Sequence, residues 1–139
     1  MGERTGTLAH VVSAGWGERC ALVTGATGIV GSWLCEALLE RGADVVALVL
    51  DDDPQSRFYR EGIDRRCRIV RGDLARSEDC MRAINLHGAG VVFHLGAQTI
   101  VGTALRDPLE CFESNVRGTY NLLEATRRLG PLVRALVVA

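Results

Sequence analysis

The chain has 139 residues, of which 47% are hydrophobic and 24% are charged. These are the proportions of one globular domain, and they exclude a disordered or low-complexity chain. Arginine supplies all 16 basic residues and the formal net charge is −1, which argues against nucleic acid or an anionic membrane as the main partner. Because the chain has no lysine, it cannot itself supply a Schiff-base or P-loop lysine.

The cysteines and the amino terminus narrow the protein class further. The five cysteines are odd in number and show no C-x-x-C spacing, so we expect neither a disulfide framework nor a metal site. The first residues lack the continuous apolar stretch of a signal peptide, and no apolar run approaches a membrane span. We therefore expect a cytoplasmic protein, with a flexible leader at residues 1–18 and one domain at 19–139.

Short apolar runs alternate with helical patterns after the leader. The run 20–24 has the length and composition of a buried strand, and a glycine cluster follows it at once. Beyond the glycines, apolar residues recur at helical spacing and predict that one face of a helix is buried. That face comprises Val30, Trp33, Leu34, Ala37 and Leu38. The run 45–50 lacks alternation, which indicates a strand covered on both faces.

The same alternation continues to the last residue. Residues 51–66 are polar and predict a loop that could include one helical turn. The remaining predicted elements are a strand at 68–70, a helix at 77–86 capped by Ser77, a strand at 90–95, a helix at 107–129 with Asp107 as N-cap and Pro108 as its first residue, and a strand at 132–138. This order predicts the α/β class: a Rossmann-like doubly wound parallel sheet, truncated after the fifth strand. Ligands of such sheets bind at the carboxyl ends of the strands.

Gly25, Gly28 and Gly31 form a G-x-x-G-x-x-G pattern between a predicted strand and a predicted helix. The first glycine allows a tight turn, the second lets a pyrophosphate approach the backbone, and the third allows the helix to pack closely on the strand. The helix N-terminus offers N–H groups and a positive dipole to the phosphates. The pattern therefore predicts dinucleotide binding.

Acidic residues follow the second predicted strand, where a dinucleotide places its adenosine ribose. Asp51 lies 20 residues after Gly31 and would accept hydrogen bonds from the ribose hydroxyls, which favours NAD. Asp52 and Asp53 could take the same role or form a solvated loop. Arg57 could instead contact the 2′-phosphate of NADP, so both cofactors stay open at this point.

Five further residues follow predicted strands or lie within one. Asp73 could accept a hydrogen bond from the adenine amino group, with Leu74 against the ring, or could simply begin a helix. His94 lies within an apolar run, where a histidine is more often a buried structural residue than a catalyst. Gly96 and Ala97 are small, so they would let a cofactor approach the backbone.

Four segments together resemble a known superfamily: TGATGIVGSWL at 24–34, GDL at 72–74, HLGAQT at 94–99 and NVRGTYNLLEA at 115–125. Their order and separation resemble the extended short-chain dehydrogenase/reductase superfamily, in its NAD-dependent epimerase/dehydratase branch, over roughly residues 16–139. Within that branch, the chain is most similar to nucleotide-sugar 4,6-dehydratases acting on CDP-glucose or GDP-mannose.

The resemblance implies a role for each matching position. The cofactor's pyrophosphate would lie against the glycine loop, its ribose and adenine against the acidic residues and Leu74, and its nicotinamide-side ribose against the segment after the fourth strand. The implied cofactor-binding residues are Gly25, Thr27, Gly28, Ile29, Val30, Gly31, Asp51, Asp73, Leu74, Leu95, Gly96, Ala97 and Gln98. Thr99 would approach the nicotinamide or the sugar, whereas Asn115 would brace the sheet.

The chain departs from the family pattern at two points. Many members place the ribose-binding aspartate two residues before Asp51, at the position of Val49, which weakens the preference for NAD over NADP. The family's catalytic Tyr-x-x-x-Lys pair is absent, because Tyr59 and Tyr120 are followed four residues later by isoleucine and glutamate. No catalytic residue is therefore predicted in this chain.

The expected function is that of the NAD(P)-binding portion of a nucleotide-sugar 4,6-dehydratase or epimerase, inactive alone, whose complete enzyme would bind a nucleotide sugar. The alternatives are a non-catalytic dinucleotide-binding sensor or regulatory module, and a fragment of a related epimerase or reductase. A fifth strand with an uncovered edge would leave the chain marginally stable or favour a homodimer.

Overall fold

The computed structural model describes residues 15–139, in which five strands form one parallel sheet. The strands are β1 (Cys20–Thr24), β2 (Asp44–Val49), β3 (Arg68–Arg71), β4 (Val91–His94) and β5 (Ala135–Val138), in the spatial order β3-β2-β1-β4-β5. The chain order reverses between β1 and β4, which makes their carboxyl ends the switch point at which such sheets bind ligands. The predicted doubly wound fold is confirmed.

The helices cover both faces of the sheet. They are α1 (Ile29–Glu40), α2 (Arg57–Arg60), α3 (Ser77–Asn85), α4 (Val101–Arg106), α5 (Pro108–Phe112) and α6 (Gly118–Arg128), with a 3-10 turn at Asp64–Arg66 and a π-helical segment at Glu113–Arg117. Side chains of α1 and α2 pack on one face of the sheet, and those of α3 and α6 pack on the other. Burial on both faces explains why β2 reads as a continuous apolar run. None of the helices within 15–139 has the length and apolar content needed to cross a membrane.

The predicted buried face of α1 is right in part. Leu38 is buried as predicted, whereas Val30 and Trp33 are 66% and 58% exposed, and Gly31 and Cys35 are buried against the sheet instead. The reason is steric: Gly31 has no side chain, so this side of the helix can lie directly on the backbone of the glycine loop. Val30 and Trp33 then face outward beside that loop.

Two other elements differ from the sequence prediction. The predicted helix 107–129 is helical without a gap from Pro108 to Arg128 but includes a π-helical turn at Glu113–Arg117 between α5 and α6, and α4 precedes it in a segment for which no helix was predicted. The Asp107 carboxylate does cap α5, accepting the N–H of Glu110 at 3.0 Å, and Pro108 is the first helical residue. Helix α3 begins as predicted, but Arg76 rather than Ser77 occupies its N-cap position and provides no side-chain cap.

The segment 51–66 is anchored by Phe58, although it reads as a polar loop. Phe58 is fully buried and packs in the same cluster as β2 and Ile63. The leader expected at 1–18 lies mostly outside the described residues. Within the described part, Trp16 packs against Phe93 with ring centroids 6.1 Å apart.

Replacing Phe58 with alanine tests this anchor. A buried aromatic ring lost from a packed core costs about 3–5 kcal/mol of unfolding free energy. The exposed Leu86 provides the control, because it is 60% exposed and Leu86→Ala should cost under about 0.5 kcal/mol. Urea unfolding followed by circular dichroism measures both values. Equal, small losses would show that Phe58 does not hold this segment.

Candidate functional site

The glycine loop joins β1 to α1 at the switch point of the sheet. Gly25 has φ +71°, and a Cβ there would lie 2.6 Å from the backbone carbonyl of Leu95. A Cβ on Gly31 would lie 2.0 Å from the carbonyl oxygen of Gly25. Glycine is thus required at both positions, because the backbone of the loop that follows β1 contacts the segment after β4 on one side and α1 on the other.

The amino terminus of α1 points its first N–H groups into the open space beside this loop. Gly28 is the N-cap and has no side chain to satisfy those groups. Ile29 and Val30, the first two helical residues, are 85% and 66% exposed to solvent. Free N–H groups together with the helix dipole form a site that favours an anion such as phosphate.

Two adjoining hollows extend from the loop, and they share Gly25, Thr27 and Ala97. We call the first the cleft; it has a volume of about 300 Å³ and is lined by Gly25, Thr27, Leu48, Leu50, Asp51, Asp53, Gly72, Asp73, Leu74, Gly96, Ala97 and Ser114. We call the second the groove; it has a volume of about 490 Å³ and is lined by Gly25, Thr27, Gly28, Ile29, Val30, Gly31, Leu95, Ala97, Thr99 and Ala139. The structure therefore brings together most of the residues that the sequence singled out.

Gln98 differs from the other implied cofactor-binding residues, because it lines neither hollow. Its backbone N–H donates to Asn115 Oδ1 at 2.6 Å, and its backbone carbonyl accepts from Asn115 Nδ2 at 3.0 Å. Its side-chain oxygen accepts the N–H of Ile100 at 3.0 Å. Gln98 thus fixes the chain that follows β4, and Asn115 braces this segment with both ends of its amide.

The acidic residues of the site have different surroundings. Asp51 is exposed and lines the cleft. Asp52, in contrast, forms an ion pair with Arg71 and accepts a hydrogen bond from the Tyr59 hydroxyl. The Arg71 guanidinium, with the Tyr59 hydrogen bond, holds the pKa of Asp52 below its usual range. Asp51 is therefore better placed than Asp52 to bind a ligand in the cleft, while Asp53 also lines it.

Asp73 lines the cleft and also shapes the turn that begins after β3. Its carboxylate accepts the N–H of Ala75 at 2.8 Å, and its own N–H donates to the carboxylate of Asp79 at 2.9 Å. Both roles weighed from the sequence, a ligand contact and a helix entry, are compatible with this position. The adjacent Leu74 is held by Asn121, whose side-chain amide donates to the Leu74 carbonyl at 2.9 Å.

His94 lies beneath the cleft in a chain of hydrogen bonds that sequence reasoning did not find. Thr24 Oγ1 accepts the N–H groups of Leu95 and Gly96 at 3.2 and 3.0 Å, so its own proton must go to His94 Nδ1 at 2.8 Å. The other ring nitrogen, Nε2, lies 2.9 Å from the Thr119 hydroxyl, which donates onward to the backbone. This arrangement assigns His94 a neutral imidazole with its proton on Nε2.

This chain of bonds makes His94 a support of the site rather than a ligand of it. Burial lowers the pKa of His94, which agrees with a neutral ring. The bonds run from β1 through His94 to α6 and hold the backbone of Leu95, which lines the groove, and of Gly96, which lines the cleft. The sequence gives no signal for this chain of bonds, because Thr24, His94 and Thr119 lie far apart in the chain and form no local pattern.

The described part of the chain offers no tyrosine suited to base catalysis. Burial and the hydrogen bond to Asp52 raise the pKa of Tyr59 to about 12, so its hydroxyl keeps its proton at neutral pH. Tyr120 is half exposed on α6 and does not line the cleft or the groove. The arrangement can bind and orient a ligand, but it does not supply a tyrosinate.

The comparison with models of protein families identifies the family of this chain. The model of the NAD dependent epimerase/dehydratase family matches residues 21–138. The chain belongs to this family. The family fold explains why the glycine loop, the acidic residues after β2 and the small residues after β4 converge on one edge of the sheet.

The relatives that match this chain include both 4-epimerases and 4,6-dehydratases. The chain is 38% identical over 117 residues to a UDP-glucose 4-epimerase of Erwinia amylovora, covering 78% of this chain and 33% of that protein. It is 34% identical over 116 residues to a CDP-glucose 4,6-dehydratase of Salmonella typhimurium, covering 83% and 32%. The chain thus spans about a third of the length of these relatives.

A solved structure provides the corresponding comparison of folds. The UDP-glucose 4-epimerase of Thermus thermophilus, solved in complex with NAD, superimposes with a TM-score of 0.71 at 37% identity. The match covers 84% of this chain and 36% of that one. The expected resemblance to nucleotide-sugar dehydratases and epimerases is therefore confirmed.

Gly31→Ala tests the close approach of α1 to the glycine loop. The new methyl group would collide with the Gly25 carbonyl, and we expect a loss of about 3 kcal/mol or more of unfolding free energy. Gly102→Ala is the matched control, since a Cβ at that helical position meets nothing within 4 Å and should change stability by under about 1 kcal/mol. Similar values for both variants would contradict the described contact.

The pH dependence of folding tests the neutral state of His94. Its folded pKa lies below the ordinary value of about 6.5, so the unfolded chain binds the proton more readily. The stabilisation is complete above about pH 6.5 and is lost as the pH falls toward the folded pKa, by at most about 1.4 kcal/mol per pH unit.

Urea unfolding of the wild type and of His94→Asn, measured from pH 7.5 to 5.5, would isolate this contribution. We expect the two stabilities to converge as the pH falls, because only the wild type loses the part that depends on a neutral imidazole. Parallel pH profiles would contradict a buried neutral His94.

Proposed function

We propose that this chain is the NAD-binding portion of a nucleotide-sugar epimerase or 4,6-dehydratase. The single observation that carries the proposal is the glycine loop at the switch point of the sheet, open to two adjoining hollows lined by the expected residues. Family membership and the NAD complex of the Thermus thermophilus relative support the choice of cofactor.

The residues present fit a dinucleotide. A side chain at Gly25 would fill the space between β1 and the segment after β4, and Gly28 is so close to the Gly25 carbonyl that a Cβ would lie 3.2 Å from it. This bare backbone lets a pyrophosphate approach the N–H groups of Ile29 and Val30. Thr27 borders both hollows beside it.

The two ends of the cofactor would lie on opposite sides of the loop. On one side, Asp51 would accept the ribose hydroxyls, and Asp73 with Leu74 would border the adenine. On the other, Leu95, Ala97 and Thr99 line the groove toward which the nicotinamide would extend. Gln98 would not contact the cofactor and would instead hold this segment in place through its hydrogen bonds with Asn115.

The chain's own residues bind and orient the cofactor but do not complete the reaction. Bound NAD would supply a hydride acceptor for a sugar carbon, and a base would have to remove the proton from the hydroxyl group on that same carbon. The tyrosine and lysine that the family resemblance implies for this step have no counterpart among these residues. We therefore propose that the chain alone is inactive toward nucleotide sugars such as the UDP-glucose or CDP-glucose named for its relatives.

A second candidate is a non-catalytic dinucleotide-binding module. It rests on the same cleft and on the absence of lysine from the sequence, since binding needs neither a tyrosinate nor a lysine ammonium. The two candidates share the cofactor site, so a binding experiment tests what they have in common. Turnover by the chain alone would contradict both.

Isothermal titration with NAD tests the cofactor site through Asp51→Asn. A carboxylate that accepts ribose hydroxyls contributes about 1.5–3 kcal/mol, so the variant should bind NAD roughly 10- to 100-fold more weakly. Glu40→Gln removes one carboxylate from the exposed end of α1 and should leave the affinity within about twofold. A wild type that does not bind NAD would refute the proposed function, and an unchanged Asp51→Asn would refute the role of Asp51.

A further inference from the structure

Arg57 is the residue whose role the proposed function leaves open. It lies on α2 beside a third hollow of about 320 Å³, which shares Thr27 and Asp53 with the cleft. Among the described residues 15–139, it is the one basic side chain that lines either of these two spaces. A 2′-phosphate on a ribose held by Asp51 would need a cationic partner here, and Arg57 is the available candidate.

The guanidinium of Arg57 is already engaged by two carboxylates. Its Nη2 lies 2.5 Å from Glu36 Oε2 on α1 and 2.9 Å from Glu61 Oε2 after α2. The Arg57 side chain is only 19% exposed and that of Glu36 only 24%, so solvent screens this pair less than a surface ion pair. The three charges sum to −1, so the cluster repels an anion.

One face of the guanidinium is covered as well. Its central carbon lies 3.6 Å from the centroid of the Trp33 ring, a cation–π contact. Its Nη1 atom is buried and has no hydrogen-bond partner. Arg57 thus stands next to the ribose edge of the cleft with its Nη2 held by two carboxylates and one face held against Trp33.

We propose that Glu36 and Glu61 determine the cofactor preference of this chain by withholding Arg57 from a 2′-phosphate. Asp51 and Asp53 already place carboxylates at this edge, and the neutralised arginine removes the charge that would offset them. The chain therefore binds NAD in preference to NADP. Glu36 and Glu61 act through Arg57 and touch no cofactor, so they are positioning residues. This inference rests on the proposed cofactor role of the cleft.

The test measures the dissociation constants of NAD and NADP for the wild type, Glu36→Gln, Glu61→Gln and the double variant. Glutamine keeps the size of the side chain and removes its charge, which frees the guanidinium for a phosphate. One charge-assisted hydrogen bond contributes roughly tenfold in affinity, so the double variant should bind NADP roughly tenfold more tightly while its NAD affinity stays within about twofold. Glu40→Gln on the same helix makes the same charge change away from the hollow and should leave the ratio of the two constants unchanged.

Two further measurements make the result specific to Arg57. Adding Arg57→Gln to the double variant should abolish the gain in NADP affinity, and raising the salt concentration should reduce it. An unchanged ratio of NADP to NAD affinity in a folded double variant would overturn the inference, as would a selective loss of NADP binding by Arg57→Gln alone. A wild type that binds neither cofactor would refute the proposed function instead, so the two failures are distinguishable.

Discussion

The site depends on a close backbone contact at the glycine loop. The glycine loop is pressed between the backbone of Leu95 and the first turn of α1, with no space for a Cβ at Gly25 or Gly31. This contact sets the position of α1, and therefore directs its free N–H groups toward the edge where β1 and β4 diverge. The apolar faces of the sheet provide most of the stabilisation, but the glycines decide where the open edge lies.

The support beneath this edge is polar and is buried at Thr24 and His94 and half-buried at the residues around them. Thr24 and His94 connect β1 to β4, Thr119 connects them to α6, and Asn115 holds Gln98. Each of these bonds fixes the backbone that follows β4, where a cofactor would have to pass. Buried polar groups are costly unless they are satisfied, so this network favours one arrangement of the segment over others. The site is in this way organised before any ligand binds.

Much of the fold followed from the sequence because its signals are local. The continuous apolar run of β2 predicted a strand covered on both faces, and the spacing of Gly25, Gly28 and Gly31 predicted the loop. The errors arose where tertiary contacts override local pattern. Val30 and Trp33 read as core residues yet are exposed, because the close approach at Gly31 rotates α1. The pairing of Arg57 with Glu36, 21 residues away, likewise has no local signature.

Residue-resolved NMR of the wild-type chain during titration with NAD tests the central claim most directly. We expect amide chemical-shift changes confined to the carboxyl edge of the sheet, at residues 25–31, 51–53, 73–74 and 95–99. Residues at the opposite edge, such as Gly88 and Gly90, should not respond, although a hollow also lies there. Shift changes centred on that opposite edge, or none at millimolar NAD, would contradict the assignment of this edge as the cofactor site.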